Sequence, residues 1–164
     1  MLVTKMRSRE CRELLVRLGF GRLACVSNNR PYIVPIYFAF DAECFYCFST
    51  LGRKIEWMRE NPLVCVEVDE IVAHDNWVSV VAFGHYLEFS NSPEDAKGHE
   101  YVRSLIAKRP LWWQSGYTAA QVRRKRKPVV PVFYCIQIEE ITGLRASPDT
   151  REKAKTPRDA ILRS

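Results

Sequence analysis

A mainly-β member of the α+β class is what this 164-residue sequence predicts: six antiparallel strands forming a small Greek-key or split barrel, with three flanking helices. Three observations lead there. Short apolar runs bounded by polar or prolyl turns recur along most of the chain, the signature of strands. Helical periodicity interrupts them three times, in an order that does not alternate strand and helix as a parallel sheet requires. Pro35 sits inside one of the best strand-like runs, which marks an edge, a bulge or a ligand in place of a partner strand.

The elements follow in order. Cys11, Leu14, Leu15 and Leu18 recur at i, i+3, i+4 and i+7, with Ser8 as N-cap and Gly19 as stop, and predict an amphipathic helix. Residues 22–26, 32–40 and 44–49 read as strands, joined by polar turns at 27–31 and 41–43. A helix over 53–60 ends at Asn61-Pro62. Residues 63–68 and 77–89 read as two further strands with a polar loop, 69–76, between them. Ser92-Pro93-Glu94-Asp95 combines an N-cap, an early proline and first-turn acids, and Tyr101, Val102, Leu105 and Ile106 give the helix that follows one apolar side. A last strand over 130–141 closes the sheet. No linker or repeat divides the chain, so residues 1–164 are expected to form a single domain with a core over about 7–143 and a polar tail at 144–164.

Composition narrows the function classes. Lys and Arg outnumber Asp and Glu by 25 to 19, a formal charge of +6 that favours anionic ligands without selecting one. The first residues carry no apolar leader and nothing approaches the roughly 18 consecutive apolar residues of a membrane span, so a cytoplasmic protein is expected. Cys44-Phe45-Tyr46-Cys47 has C-x-x-C spacing, yet on a strand positions three apart face opposite sides and cannot chelate one ion. Buried free thiols are expected at all six cysteines rather than a metal site or disulfides. His74, His85 and His99 fall on a loop, a strand and a helix, and read as solvent or packing residues.

The richest motif is Phe48-Ser49-Thr50-Leu51-Gly52-Arg53-Lys54, a strand end turning into a helix start. A helix N-terminus offers unpaired N–H groups and a partial positive charge. Arg53 can grip a phosphate through its fork, Lys54 adds a mobile charge, Ser49 and Thr50 add hydroxyls, and Gly52 allows close backbone approach. The bland alternative is a surface turn with two solvated cations. A second basic run, Arg123-Arg124-Lys125-Arg126-Lys127, lies near Trp112 and Trp113 and leaves a nucleic-acid-binding module as a competing, weaker reading.

Taken together, Gly21-Arg22-Leu23-Ala24, Arg30-Pro31-Tyr32-Ile33-Val34-Pro35, the 48–54 motif and Glu60-Asn61-Pro62 resemble the FMN-binding split-barrel family related to pyridoxamine 5′-phosphate oxidase, most nearly its nitroimidazole-resistance-type branch. That resemblance implies a six-stranded antiparallel split β-barrel and a homodimer with FMN at the subunit interface. It implies that Arg53 and Lys54 hold the FMN phosphate beside Ser49 and Thr50. It places the backbone of Ile33, Val34, Pro35 and Ile36 along the isoalloxazine, and Ser79 where the oxidase has a glutamine reaching the ring. The phosphate turn is one serine shorter than in the oxidase, and the polar tail lacks the oxidase's C-terminal substrate-binding pattern, so pyridoxamine phosphate oxidation itself is not expected. The implied activity passes electrons from a nicotinamide donor, NADH or NADPH, to a small acceptor such as a nitroaromatic. A flavin carrier or sensor without turnover is the alternative. Trp112 and Trp113 would form either a lid over the flavin or an anchor at the dimer interface.

Overall fold

In a computed structural model that describes residues 1–90, 92–108 and 131–149, the chain builds one seven-stranded antiparallel sheet with three α-helices. Strands β1 (Leu2–Lys5), β2 (Phe20–Ser27), β3 (Arg30–Asp41), β4 (Cys44–Thr50), β5 (Leu63–Ala73), β6 (Asn76–Glu88) and β7 (Pro131–Ser147) lie in the order β1-β7-β4-β3-β2-β5-β6. A further pairing joins β6 to β7, so six strands close into a ring and β1 extends β7 on the outside. This is the expected split-barrel arrangement. Trp112, Trp113 and the basic run at 123–127 lie outside the described residues.

Alternation sets the inside of the ring. Leu23 and Cys25, Ile36 and Phe38, Phe45 and Cys47, Val64, Val66 and Val68, Val80 and Ala82, and Tyr134 and Ile136 are all buried, with period two on each strand. Helix α1 (Ser8–Arg17) adds Cys11, Leu14 and Leu15, and α2 (Arg53–Glu60) adds Ile55 and Met58. A 3₁₀ turn (Pro93–Asp95), where the Ser92 hydroxyl accepts from the Asp95 N–H, leads into α3 (Ala96–Ala107), which lies against β3, β4 and β7.

Four sequence expectations need correction. Ser8 is the first helical residue of α1 rather than its cap, and the Glu10 carboxylate accepts the Arg7 N–H at 2.8 Å instead. Strand β1 was not foreseen; four residues of exposed pattern carry no period, and only the partner edge, Leu2 to Lys5 against Ser147 to Leu144, defines them. The same pairing carries β7 on to Ser147, past the expected end at 141. The supposed loop at 69–76 is the tip of the β5–β6 hairpin, paired through Asp69 with Ser79, Glu70 with Val78 and Ile71 with Trp77. Its acids are compatible with a strand because Arg22 holds Asp69 and Arg17 holds Glu70 through two 2.7 Å bonds.

Backbone approach governs the seam that closes the ring. At Gly84, beside a register shift in the β6–β7 pairing, an added Cβ would stand 2.2 Å from the Gln137 carbonyl oxygen. Gly84→Ala must therefore push β6 and β7 apart, and is expected to lower stability by about 2–3 kcal/mol, read as a lower urea midpoint with an unchanged slope.

Candidate functional site

The site begins where β3 changes partners. β3 pairs with β2 from Arg30 to Tyr37, but with β4 only from Phe38 to Asp41. The Phe38 N–H donates to the Gly19 carbonyl at 3.0 Å, which fixes the phase of the β2–β3 ladder. Even-numbered residues of β3 then exchange bonds with β2, and the amides of residues 31, 33 and 35 point to the opposite edge. Both Pro31 and Pro35 fall on that edge, where no ladder bond is lost to a proline. The Ile33 N–H points there too and has no partner among the described residues. Pro35 therefore does mark an open edge, as the sequence predicts.

Helix α2 starts across this split. Gly52 leads into it with an extended backbone, φ 171° and ψ −177°, that any residue can adopt, and a Cβ there would meet nothing within 4 Å. The turn's shape thus does not require glycine, and the open space beside Gly52 leaves its backbone accessible. No side chain caps the helix, and the Gly52 carbonyl accepts from Ile55 and Glu56. The Arg53 and Lys54 N–H groups remain without partners among the described residues, as a helix start requires.

The two cations diverge. Successive helical residues are about 100° apart, so Arg53 shares a face with Trp57 and Lys54 with Met58. Arg53 is exposed, with its guanidinium 5.5 Å from the centre of the Tyr32 ring, and Tyr32 meets Trp57 edge-on at 5.4 Å. Lys54 turns inward toward Cys47 and Cys25, and burial holds its ammonium below the usual lysine pKa. Among the described residues neither side chain has an ion-pair partner. The Tyr134 hydroxyl, buried beside the Cys47 thiol, has no hydrogen-bond partner there either, and burial drives its pKa well up. Burial likewise pushes the Cys47 thiol up to about 12, so it is a poor nucleophile.

Ser49 and Thr50 end β4 just ahead of this turn, half-buried, with the Ser49 hydroxyl donating to the Thr50 carbonyl at 3.1 Å. Ile33 and Pro35 face outward and exposed, Val34 is half-buried and Ile36 is in the core. Ser79 stands apart from the basic pair, on the outer face of β6. Its hydroxyl donates to Glu67 at 2.9 Å, and Glu67 and Asp69 both hold Arg22. The structure thus brings together the open edge of β3, the end of β4 and the start of α2, but not Ser79. Tyr32 and Trp57 are the residues that sequence reading passed over; the i, i+4 spacing of Arg53 and Trp57 was the available signal.

Around the site the outer face of the sheet is apolar and exposed. Ile33, Ala24, Cys65 and Phe83 stand in register across β3, β2, β5 and β6, with Ile33 65% and Phe83 47% accessible. Cys65 is thereby half-exposed, while the other five free thiols are buried as expected.

Comparison with known proteins agrees with this architecture. The chain is 34% identical over 146 residues to uncharacterized protein RA0666 of Rhizobium meliloti (strain 1021), covering 89% of this chain and 97% of that one. It superposes on the crystal structure of a protein of Mesorhizobium loti described as FAD-binding with a TM-score of 0.73 and 36% identity, covering 90% of this chain and all of the other. A candidate 5-nitroimidazole antibiotic resistance protein of Bacteroides thetaiotaomicron shares the fold at a TM-score of 0.61 and 14% identity, over 88% of this chain and 87% of its own. Residues 7–145, which hold all of the ring of strands but the last two residues of β7, and the split at β3, match the family model for pyridoxamine 5′-phosphate oxidase, and the chain belongs to that family.

Proposed function

We propose that this protein binds a flavin through its FMN unit and works as an oxidoreductase. The observation that carries the reading is the open edge of β3 meeting an uncapped helix start, with Arg53 and Lys54 free of counter-ions among the described residues. This donor set fits the group: the α2 N–H groups and Arg53 suit a phosphate, and the Ile33 N–H and the carbonyls of residues 31, 33 and 35 suit the hydrogen-bonding edge of a planar ring. The Mesorhizobium loti protein described as FAD-binding supports a flavin as the ligand.

Each residue has a separate task. Arg53 grips the phosphate while its back rests on Tyr32. Lys54 supplies a second charge from the barrel mouth, where the low polarity strengthens its field. Ser49 and Thr50 offer hydroxyls at the same turn. The backbone from Ile33 to Ile36 lies along the ring, and the exposed side chains of Ile33 and Pro35 help to exclude water. Ser79 donates its hydroxyl to Glu67 and keeps its acceptor lone pairs for a ring N–H. The bound flavin supplies hydride and electron transfer, here from NADH or NADPH to a small acceptor such as a nitroaromatic.

A second copy of the chain completes the site. The exposed apolar face centred on Ile33 and Phe83 adjoins the open edge, and a contiguous face of that kind is a protein contact. A homodimer would cover it and close the flavin in at the interface.

Purified protein is expected to be yellow with a flavin spectrum, and colourless protein that takes up neither FMN nor FAD would overturn the reading. Arg53→Ala should weaken flavin binding about 10- to 100-fold, the value of charge-assisted hydrogen bonds. Because the Lys54 pKa is lowered, its ammonium, and with it flavin affinity, is lost at a lower pH than a solvent lysine would give. A fluorescence titration from neutral to alkaline pH should show that fall, and Lys54→Arg should remove it. In the flavin-free protein the sign is opposite for stability: folding suppresses Lys54 protonation, so the destabilisation is present below the lowered pKa and relieved as pH rises through it. Anaerobic bleaching by NADH or NADPH, with colour restored by a nitroaromatic, marks an oxidoreductase; a flavin that neither donor reduces marks a carrier. Phe83→Glu should convert a dimer to a monomer in light scattering and reduce flavin content, whereas an unchanged dimer would place the subunit contact elsewhere.

A further inference from the structure

We propose that Tyr32, backed by Trp57, is a positioning residue that holds the Arg53 guanidinium where it meets the flavin phosphate. This rests on the flavin reading above and deepens it by naming what fixes the phosphate-binding group. Arg53 is exposed at the first position of α2 and has no hydrogen-bond or ion-pair partner among the described residues. A long side chain in that state spreads over many rotamers, and ordering it when a ligand arrives costs affinity. One contact opposes that spread. The guanidinium carbon stands 5.5 Å from the centre of the Tyr32 ring, within reach of a cation–π attraction. A guanidinium held against an aromatic ring keeps its N–H fork for a phosphate.

The ring is itself held in place. Tyr32 and Trp57 are both half-buried, pack against the core and meet edge-on at 5.4 Å. Trp57 lies one helical turn on from Arg53, on the same face of α2, so the two aromatic rings and the guanidinium make one run of contacts from strand to helix. The other end of α2 is tied separately. The Ser27 hydroxyl donates to Glu60 at 2.7 Å, and the Asn61 side-chain amide donates to the Val26 carbonyl at 3.2 Å. Those bonds hold the helix to β2, whereas the aromatic pair ties its first turns to β3, the strand whose open edge takes the flavin ring. The spacing from phosphate to ring is thereby set through Tyr32. The Tyr32 hydroxyl has no hydrogen-bond partner among the described residues, so the role belongs to the aromatic ring.

The test is a double-mutant cycle on the flavin-free full chain, titrated with FMN and in parallel with FAD, and read by flavin fluorescence. Both probes carry the phosphate assigned to Arg53. Tyr32→Leu is expected to weaken binding about three- to fivefold, the worth of one cation–π contact, and to have no effect once Arg53 is already alanine. Trp57→Leu should show the same dependence on Arg53. Tyr32→Phe, which keeps the ring, should bind as the wild-type protein does. A loss in Tyr32→Leu or Trp57→Leu that persists at full size in the Arg53→Ala background marks packing alone and overturns the proposal. So does an equal loss in Tyr32→Phe and Tyr32→Leu, or no loss in either. Each of these results leaves the flavin reading intact, whereas a wild-type chain that takes up neither flavin overturns both.

Discussion

Everything at this site depends on a strand that changes partners part-way along its length. From Arg30 to Tyr37, β3 is paired with β2, and from Phe38 to Asp41 with β4; among the described residues no strand pairs with the β4-side edge of residues 30–36. Backbone polar groups cannot be left bare inside a fold, so the ring must either close over that edge or present it to something that bonds to it. Among the described residues no strand closes over it. Prolines at 31 and 35 remove two donors from the open edge at no cost to the ladder, and helix α2 fills the barrel end with Ile55 and Met58 without covering the edge itself. The split is therefore a built feature, maintained by sequence at the prolines and by packing at the helix.

Helix geometry then decides what the basic pair can do. Neighbouring residues on α2 cannot face the same way, so Arg53 goes outward onto Tyr32 and Lys54 goes inward toward Cys47 and Cys25. The outward cation is well hydrated and costs little to keep. The inward one is held half-buried with no counter-ion among the described residues, and its lowered pKa records that cost. A buried ammonium without a partner is a cost to the barrel end that only packing elsewhere offsets.

The outer face works by a different balance. Apolar residues in register across four strands make an exposed apolar surface, and the Arg22–Glu67–Asp69–Ser79 cluster interrupts it beside the open edge. One guanidinium between two carboxylates leaves the cluster net negative beside the apolar face. The same ion pairs explain why a run rich in acids, 69–73, remains in a strand.

Local rules recorded in the residue order made much of this legible. The i, i+3, i+4 pattern gave α1, alternation gave the barrel strands, Pro35 announced the edge that no described strand pairs with, and Ser49 to Lys54 announced a strand end turning into a basic helix start beside it. Pairing between distant segments was not legible: β1 exists because β7 offers it an edge, the 69–76 hairpin because Arg17 and Arg22 neutralise its acids, and the register shift at Gly84 because the ring must close there. The divergence of Arg53 and Lys54 and the capture of Ser79 by Glu67 follow from where α2 and β5 pack. By itself the sequence determined which segments are strands, where one of them would lack a partner and what charge would stand nearby. Only the tertiary structure decided which of those charges faces the open edge, because the direction of a side chain is set by the packing of its element against residues far away in the chain.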